Sequence, residues 1–368
     1  MATILAYGVA EPSMSGYSAR PDSPDHEAYG IDHMLYSPSP AVGRRAEPAG
    51  EPHTRCSVET RATARGAPTA RSTAAGANIG TGSGERTVTR PPRGAEKRVT
   101  MTDARGSAGR NGEEPARHAP GTPCWVSLMV HGLAATQDFY GALFGWEFRP
   151  GPQQLGPYVR ALLGGRHVAG IGRLPPDRQL PVAWTPYFAS HDVNLTAETV
   201  RLCGGTVGVG PLDAADAGRL AVGSDPSGAV FGVWQAAGLL GTDLTGVPGT
   251  PAWNELLTFE SASVAKFYET VFGYESEALV SADLDYVTLY VDDHSVAGIH
   301  GVGDALPRDQ GPHWMTYFEV ADADEAVERL VDLGGHVLKP ARDGAHGRVA
   351  AVADPEGARF SLLQRAAP

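Results

Sequence analysis

A single offset recurs along the second part of this 368-residue chain, and it limits the fold more than any other feature. Thr122-Pro123-Cys124-Trp125 returns as Thr250-Pro251-Ala252-Trp253. Phe139-Tyr140-Gly141-Ala142-Leu143-Phe144-Gly145-Trp146 returns as Phe267-Tyr268-Glu269-Thr270-Val271-Phe272-Gly273-Tyr274. Ala169-Gly170-Ile171 returns as Ala297-Gly298-Ile299, and all three pairs lie 128 residues apart. Trp184 and Trp314, Gly204-Gly205 and Gly334-Gly335, Gly218-Arg219 and Gly347-Arg348, and the turns Asp225-Pro226-Ser227-Gly228 and Asp354-Pro355-Glu356-Gly357 follow at offsets of 129 or 130. So many anchors in register describe one unit of about 115 residues, used twice, each copy of ordinary single-domain size. We place the copies at residues 121–236 and 250–366, with the Gly-rich stretch 237–249 as linker.

Each copy divides again. Trp125–Val130 alternates as a strand. Ala134–Phe144 puts Phe139, Leu143 and Phe144 on one helical face before Gly145 stops it. Tyr158–Leu163 and His167–Ile171 are short strands around Gly164-Gly165. The order then restarts with strand Trp184–Ala189, helix Leu195–Leu202 and strands Thr206–Val209, Arg219–Gly223 and Ala229–Gln235. The second copy places helices near Val264–Phe272 and Asp324–Leu333. The spacing thus predicts an α+β protein in which each half-copy reads strand, helix, then two or three strands.

The N-terminal stretch, residues 1–120, is different in kind. All six Trp and all ten Phe lie after it. Without them, too little apolar surface is available to offset the entropy of ordering, so the stretch is expected to be disordered. Purine-rich codons for Glu96 and Lys97 precede Met101 as a bacterial ribosome-binding site would. A start at Met101 and a genuine extension both fit.

Charge follows the same division. The stretch carries 15 Lys and Arg against 13 Asp and Glu, and the repeats carry 15 against 29. An acidic folded part argues against nucleic acid and membrane surfaces as partners and suits a small-molecule ligand. Cys56, Cys124 and Cys203 have no metal-knuckle spacing and make no disulfide framework. With no signal segment and no apolar run of spanning length, a cytoplasmic location is expected.

Taken together, the two Phe-Tyr…Phe-Gly helix ends, the Gly-Gly pairs and the two Asp-Pro-x-Gly turns make the chain resemble the vicinal oxygen chelate superfamily of glyoxalases, bleomycin-resistance proteins and dioxygenases. The resemblance covers nearly all of residues 122–365. It is greatest to two-domain actinobacterial proteins described as hydroxylase or glyoxalase-like. It implies two tandem domains, each a pair of βαβββ modules curled around a cavity. It also implies intramolecular pairing of the two domains, which leaves a homodimer open.

The resemblance also locates a metal. Members that use a divalent ion hold it with His, Gln or Glu from the first strand of each module and the last strand of the domain. Counted from the shared anchors, those positions fall on Trp125, near Thr185 and near Gly232 in the first copy. In the second they fall on Trp253, near Met315 and near Ser361. None is a useful ligand for such an ion. No cofactor is therefore expected, although a divalent metal stays open through Glu255, two residues on from Trp253 on the same strand face.

Glu255 is the preferred catalytic residue. Buried, it would have a raised pKa and serve as a general base. Its counterpart is Ser127, so one working site is expected, with the second copy preferred. Trp125, Trp184, Trp253 and Trp314 suit a pocket for an aromatic ligand, or equally the packing between copies. Tyr187 and Tyr317, like Tyr158 and Tyr286, recur as phenols that can donate to a carbonyl or simply pack. The scattered histidines, including His294 and His300, read mainly as surface residues. Two functions remain: metal-independent binding of a small aromatic or oxygenated metabolite, which is favoured, and a hydroxylase-, lyase- or dioxygenase-like enzyme of secondary metabolism.

Overall fold

A computed structural model describes residues 118–175, 181–281, 284–307, 310–344 and 346–366. The expectations for residues 1–117, including a start at Met101, lie outside the described residues.

The first copy forms β1 (Pro123–Val130), α1 (Leu133–Phe144), β2 (Glu147–Pro150), β3 (Tyr158–Leu163) and β4 (Arg166–Arg173). It then repeats the pattern as β5 (Trp184–Ala189), α2 (Val193–Leu202), β6 (Thr206–Asp213), β7 (Gly218–Ser224) and β8 (Val230–Ala236). The second copy forms β9 (Pro251–Thr258), α3 (Ser261–Phe272), β10 (Glu275–Ser281), β11 (Leu284–Val291) and β12 (His294–Gly301). Its second half is β13 (His313–Glu319), α4 (Ala323–Asp332), β14 (His336–Gly344), β15 (Gly347–Ala353) and β16 (Arg359–Arg365). Four βαβββ modules make two eight-stranded sheets, ordered β2-β3-β4-β1-β5-β8-β7-β6 and β10-β11-β12-β9-β13-β16-β15-β14.

Local chemistry sets the element ends. Gly145 and Gly273 close α1 and α3 in the left-handed conformation at φ 75° and 76°. Asp192 and Asp322 cap α2 and α4 by accepting from the first free backbone N–H groups. No side chain of its own caps α1. Glu356 of the other copy does so, accepting from the backbone of His131 at 2.8 Å and of Gly132 at 2.7 Å.

Helix-side residues of the two copies merge into shared cores. Val126, Leu128, Phe139, Tyr140 and Phe144 of the first copy pack with Phe318, Leu330, Val352 and Phe360 of the second. Phe188, Val200 and Phe231 of the first pack with Phe267, Tyr268, Phe272 and Ile299 of the second. Each core holds a hydrogen-bonded chain that crosses between copies. The Trp184 indole donates to the Tyr140 hydroxyl at 3.0 Å, which donates to Asp354 at 3.1 Å. The Trp314 indole donates to Tyr268 at 3.0 Å, which donates to Asp225 at 3.0 Å. The other oxygen of each Asp holds its own Pro-x-Gly turn, by accepting from the backbone N–H of Ser227 and Ala229 or of Glu356 and Ala358.

The linker is pinned. Asp243 takes the His167 backbone N–H at 3.0 Å and imidazole at 2.8 Å, and Trp146 donates to the Gly249 carbonyl at 2.8 Å. None of the described helices is long and apolar enough to cross a membrane.

Tyr140→Phe strands a buried indole N–H and a carboxylate oxygen. It is expected to lower unfolding free energy by about 1–3 kcal/mol in urea titration. A variant as stable as its parent would show that this hydroxyl is not a bridge between the copies.

Candidate functional site

Strand parity separates two faces. On β1, Val126, Leu128 and Val130 turn to the helix-side core, so Trp125, Ser127 and Met129 turn to the opposite face. There they line a cavity of about 760 Å3, counting its open mouth, within the first copy. Leu155, Tyr158, Arg160, Tyr187, Leu212, Leu220 and Trp234 close its sides. Tyr158 reaches across Gly170, where a Cβ would run into its hydroxyl. That hydroxyl accepts from the Trp125 indole at 3.0 Å and lies 3.2 Å from Ser127 Oγ. Burial raises the Tyr158 pKa above its ordinary value of 10.0, so the phenol is neutral at physiological pH. The wall is otherwise largely apolar, its polar groups being this hydroxyl pair, the Tyr187 phenol and the Arg160 guanidinium.

The matching face of the second copy carries charge. Glu255 is buried on β9 beside Trp253. Its Oε2 accepts from the Tyr317 hydroxyl at 2.9 Å and lies 3.9 Å from His300 Nδ1, and Tyr286 also hydrogen-bonds the carboxylate. Asn254 turns the other way and accepts from Thr316.

Burial pushes the Glu255 carboxyl up, yet His300, Tyr317 and Tyr286 together more than offset it and hold it below the ordinary 4.5. This corrects the expectation of a raised pKa: three donors, rather than apolar walls, surround the group. A carboxylate held ionised and already hydrogen-bonded is a weak base.

Trp184 and Trp314 are also corrected as pocket residues. Each lies on the helix-side face, in a shared core, with its indole committed to a tyrosine. Trp125, Ser127 and Tyr187 come together in the first-copy cavity, and Trp253, Glu255 and Tyr317 share the corresponding face of the second. Met129, Arg160, Leu212 and Trp234 were missed, as was His300, which reaches Glu255 because β12 runs parallel beside β9. Strand alternation could have revealed Met129; the others require knowledge of strand pairing. Burial pushes the Cys124 thiol up to about 12, which makes it a poor nucleophile.

A divalent ion needs imidazole, carboxylate or thiolate donors. No His, Cys, Asp or Glu lines the first-copy cavity, so its residues do not fit one. Among the described residues no group of three or more such side chains is placed to hold a metal ion.

A sequence model for a glyoxalase-like domain matches residues 258–363. The chain is 35% identical over 265 residues to the anthracycline biosynthesis protein DauV of Streptomyces sp. (strain C5), covering 67% of this chain and 94% of DauV. It is 37% identical over 258 residues to CFP32 of Mycobacterium tuberculosis (strain CDC 1551 / Oshkosh), covering 68% of this chain and 97% of CFP32. Among solved structures, the Mn(II)-bound glyoxalase from Novosphingobium aromaticivorans aligns with 67% of this chain and 83% of its own, with a TM-score of 0.49 and 19% identity.

Linkage gives Glu255 a testable signature. Its folded pKa is depressed, so its charged contacts stabilise the fold above the unfolded value near 4.5, and that contribution is lost as pH falls through the folded pKa. Glu255→Gln is therefore expected to cost about 1–3 kcal/mol at pH 7 in thermal or urea unfolding, with the gap closing below pH 4. A gap that widens toward acid would mean the carboxyl is protonated in the fold.

Proposed function

The chain belongs to the glyoxalase-like family of the vicinal oxygen chelate superfamily, and on that premise we propose that its first copy binds a flat, largely apolar small molecule without help from a metal ion. The observation that carries this reading is the first-copy cavity: two indoles, aliphatic walls and only a few convergent polar groups. That composition is typical of sites for aromatic ligands. The relative named for anthracycline biosynthesis supports an occupant of that kind. The hydroxyls of Tyr158 and Ser127 orient the ligand by hydrogen bonding to one edge.

Turnover in the second copy is a second reading, favoured by the buried contact between Glu255 and Tyr317 and the nearby His300. It requires a substrate that displaces a tyrosine hydroxyl from the carboxylate. Glu255→Gln would then abolish turnover while leaving affinity intact.

Anthraquinone is a suitable probe, read by quenching of tryptophan fluorescence. Trp125→Ala is expected to weaken its binding about tenfold, the loss of one stacking face and its buried area. Trp184→Phe should lower stability and leave affinity unchanged. Equal affinities of the parent and Trp125→Ala would remove this cavity as the binding site.

A further inference from the structure

The register of the first sheet sets one row of residues across five strands. Thr185 pairs with Ser127, Ser127 with Gly170, Gly170 with Arg160, and Arg160 with Arg149. Directly paired residues share a face. The row therefore runs from the hydroxyl corner of the cavity to two guanidinium groups, one lining the cavity and one exposed at the edge strand.

Like charges placed directly opposite each other on neighbouring strands repel. No carboxylate among the described residues lies within salt-bridge distance of either arginine. Arg160 makes one long bond, 3.4 Å from a terminal nitrogen to the Pro150 carbonyl. Its Nε is buried with no hydrogen-bond partner. A buried donor left unpaired costs stability, and one on a cationic fork more so.

The fold itself does not demand this arrangement. At the same place in the second sheet Glu277 pairs with Thr288, so the repeat accommodates a pair with no cation. Arg149 is exposed to solvent at the edge strand, so the group left to be matched by a ligand is the buried Nε of Arg160 at the cavity wall.

Building on the proposed aromatic ligand, we infer that this ligand is an anion, a planar aromatic carrying a carboxylate or ionised enol oxygen that Arg160 receives. Arg149 adds charge at the mouth. The rings lie against Trp125 and Trp234, and the charged oxygen lies at the Arg160 end of the row. Tyr158 and Ser127 hold a neighbouring oxygen on the same edge. The ligand's charge relieves the repulsion between the two arginines, so binding is linked to salt.

The test is a pair of isosteric probes on the full chain: anthraquinone-2-carboxylate and anthraquinone-2-carboxamide, read by calorimetry and tryptophan quenching. The expected result is at least about tenfold tighter binding of the carboxylate, the scale of a charge-assisted hydrogen bond. Raising NaCl from 50 mM to 500 mM should shrink that preference. Arg160→Met should abolish it, bringing the two probes to equal affinity. Arg160→Lys, which keeps the charge and loses the fork, should retain part of it and guards against a folding defect in Arg160→Met. Equal binding of the two probes by the parent protein would overturn the anion assignment and leave the apolar pocket standing. If neither probe binds, the pocket reading fails and this inference with it.

Discussion

Tyr140 and Tyr268 are wholly buried, and a buried hydroxyl must find partners or destabilise the fold. Each accepts from a tryptophan of its own copy and donates to an aspartate of the other. Those aspartates also hold the Asp-Pro-x-Gly turns, so turn, helix and partner sheet are set by one carboxylate. Burial raises the pKa of both Asp225 and Asp354, against the pull of these hydrogen bonds. Around the two chains, aromatic rings pack at tilted and edge-to-face angles, such as Trp184 against Phe318 at 4.9 Å and Phe188 against Trp314 at 5.2 Å. A single copy would expose half of each core.

The helix-side faces are consumed in this pairing and stay alike at their aromatic anchors, although Val126 of the first copy is matched by Asn254 in the second. Both copies keep Phe-Tyr…Phe-Gly and both keep the turn aspartate. The opposite faces differ. Gly170 and Gly298 leave the same room for Tyr158 and Tyr286, yet the tyrosines meet different neighbours: Ser127 in one copy, Glu255 in the other. In the first copy the polar groups leave an apolar space with an unpaired cation at its edge. In the second, the carboxylate collects the tyrosine hydroxyls for itself. One scaffold thus supports a cavity on one side and a hydrogen-bonded charge cluster on the other.

Four tryptophans illustrate how far residue type can be read. Trp125 and Trp184 both recur at matched places and both sit on strands beside each other. Trp125 lines the cavity, whereas Trp184 lies in the core against Tyr140. Their strands run antiparallel, and Trp184 pairs with Leu128 rather than with a cavity residue. Recurrence identified all four as large buried groups, but it carried no information about which face the partner copy would cover.

The amino-acid sequence by itself determined the repeat, the helices with their glycine ends, the turns and the alternation that splits each strand into two faces. The repeat is read from matched anchors along the chain, and the rest depends on residues within a few positions of one another, where helical and strand periods act directly. Only the tertiary structure decided that Arg160 lies in line with Ser127, that His300 reaches Glu255, and that Trp125, Ser127 and Arg160 line one cavity. Those juxtapositions come from strand pairing across tens of residues, and a one-residue change of register would turn each side chain to the other face.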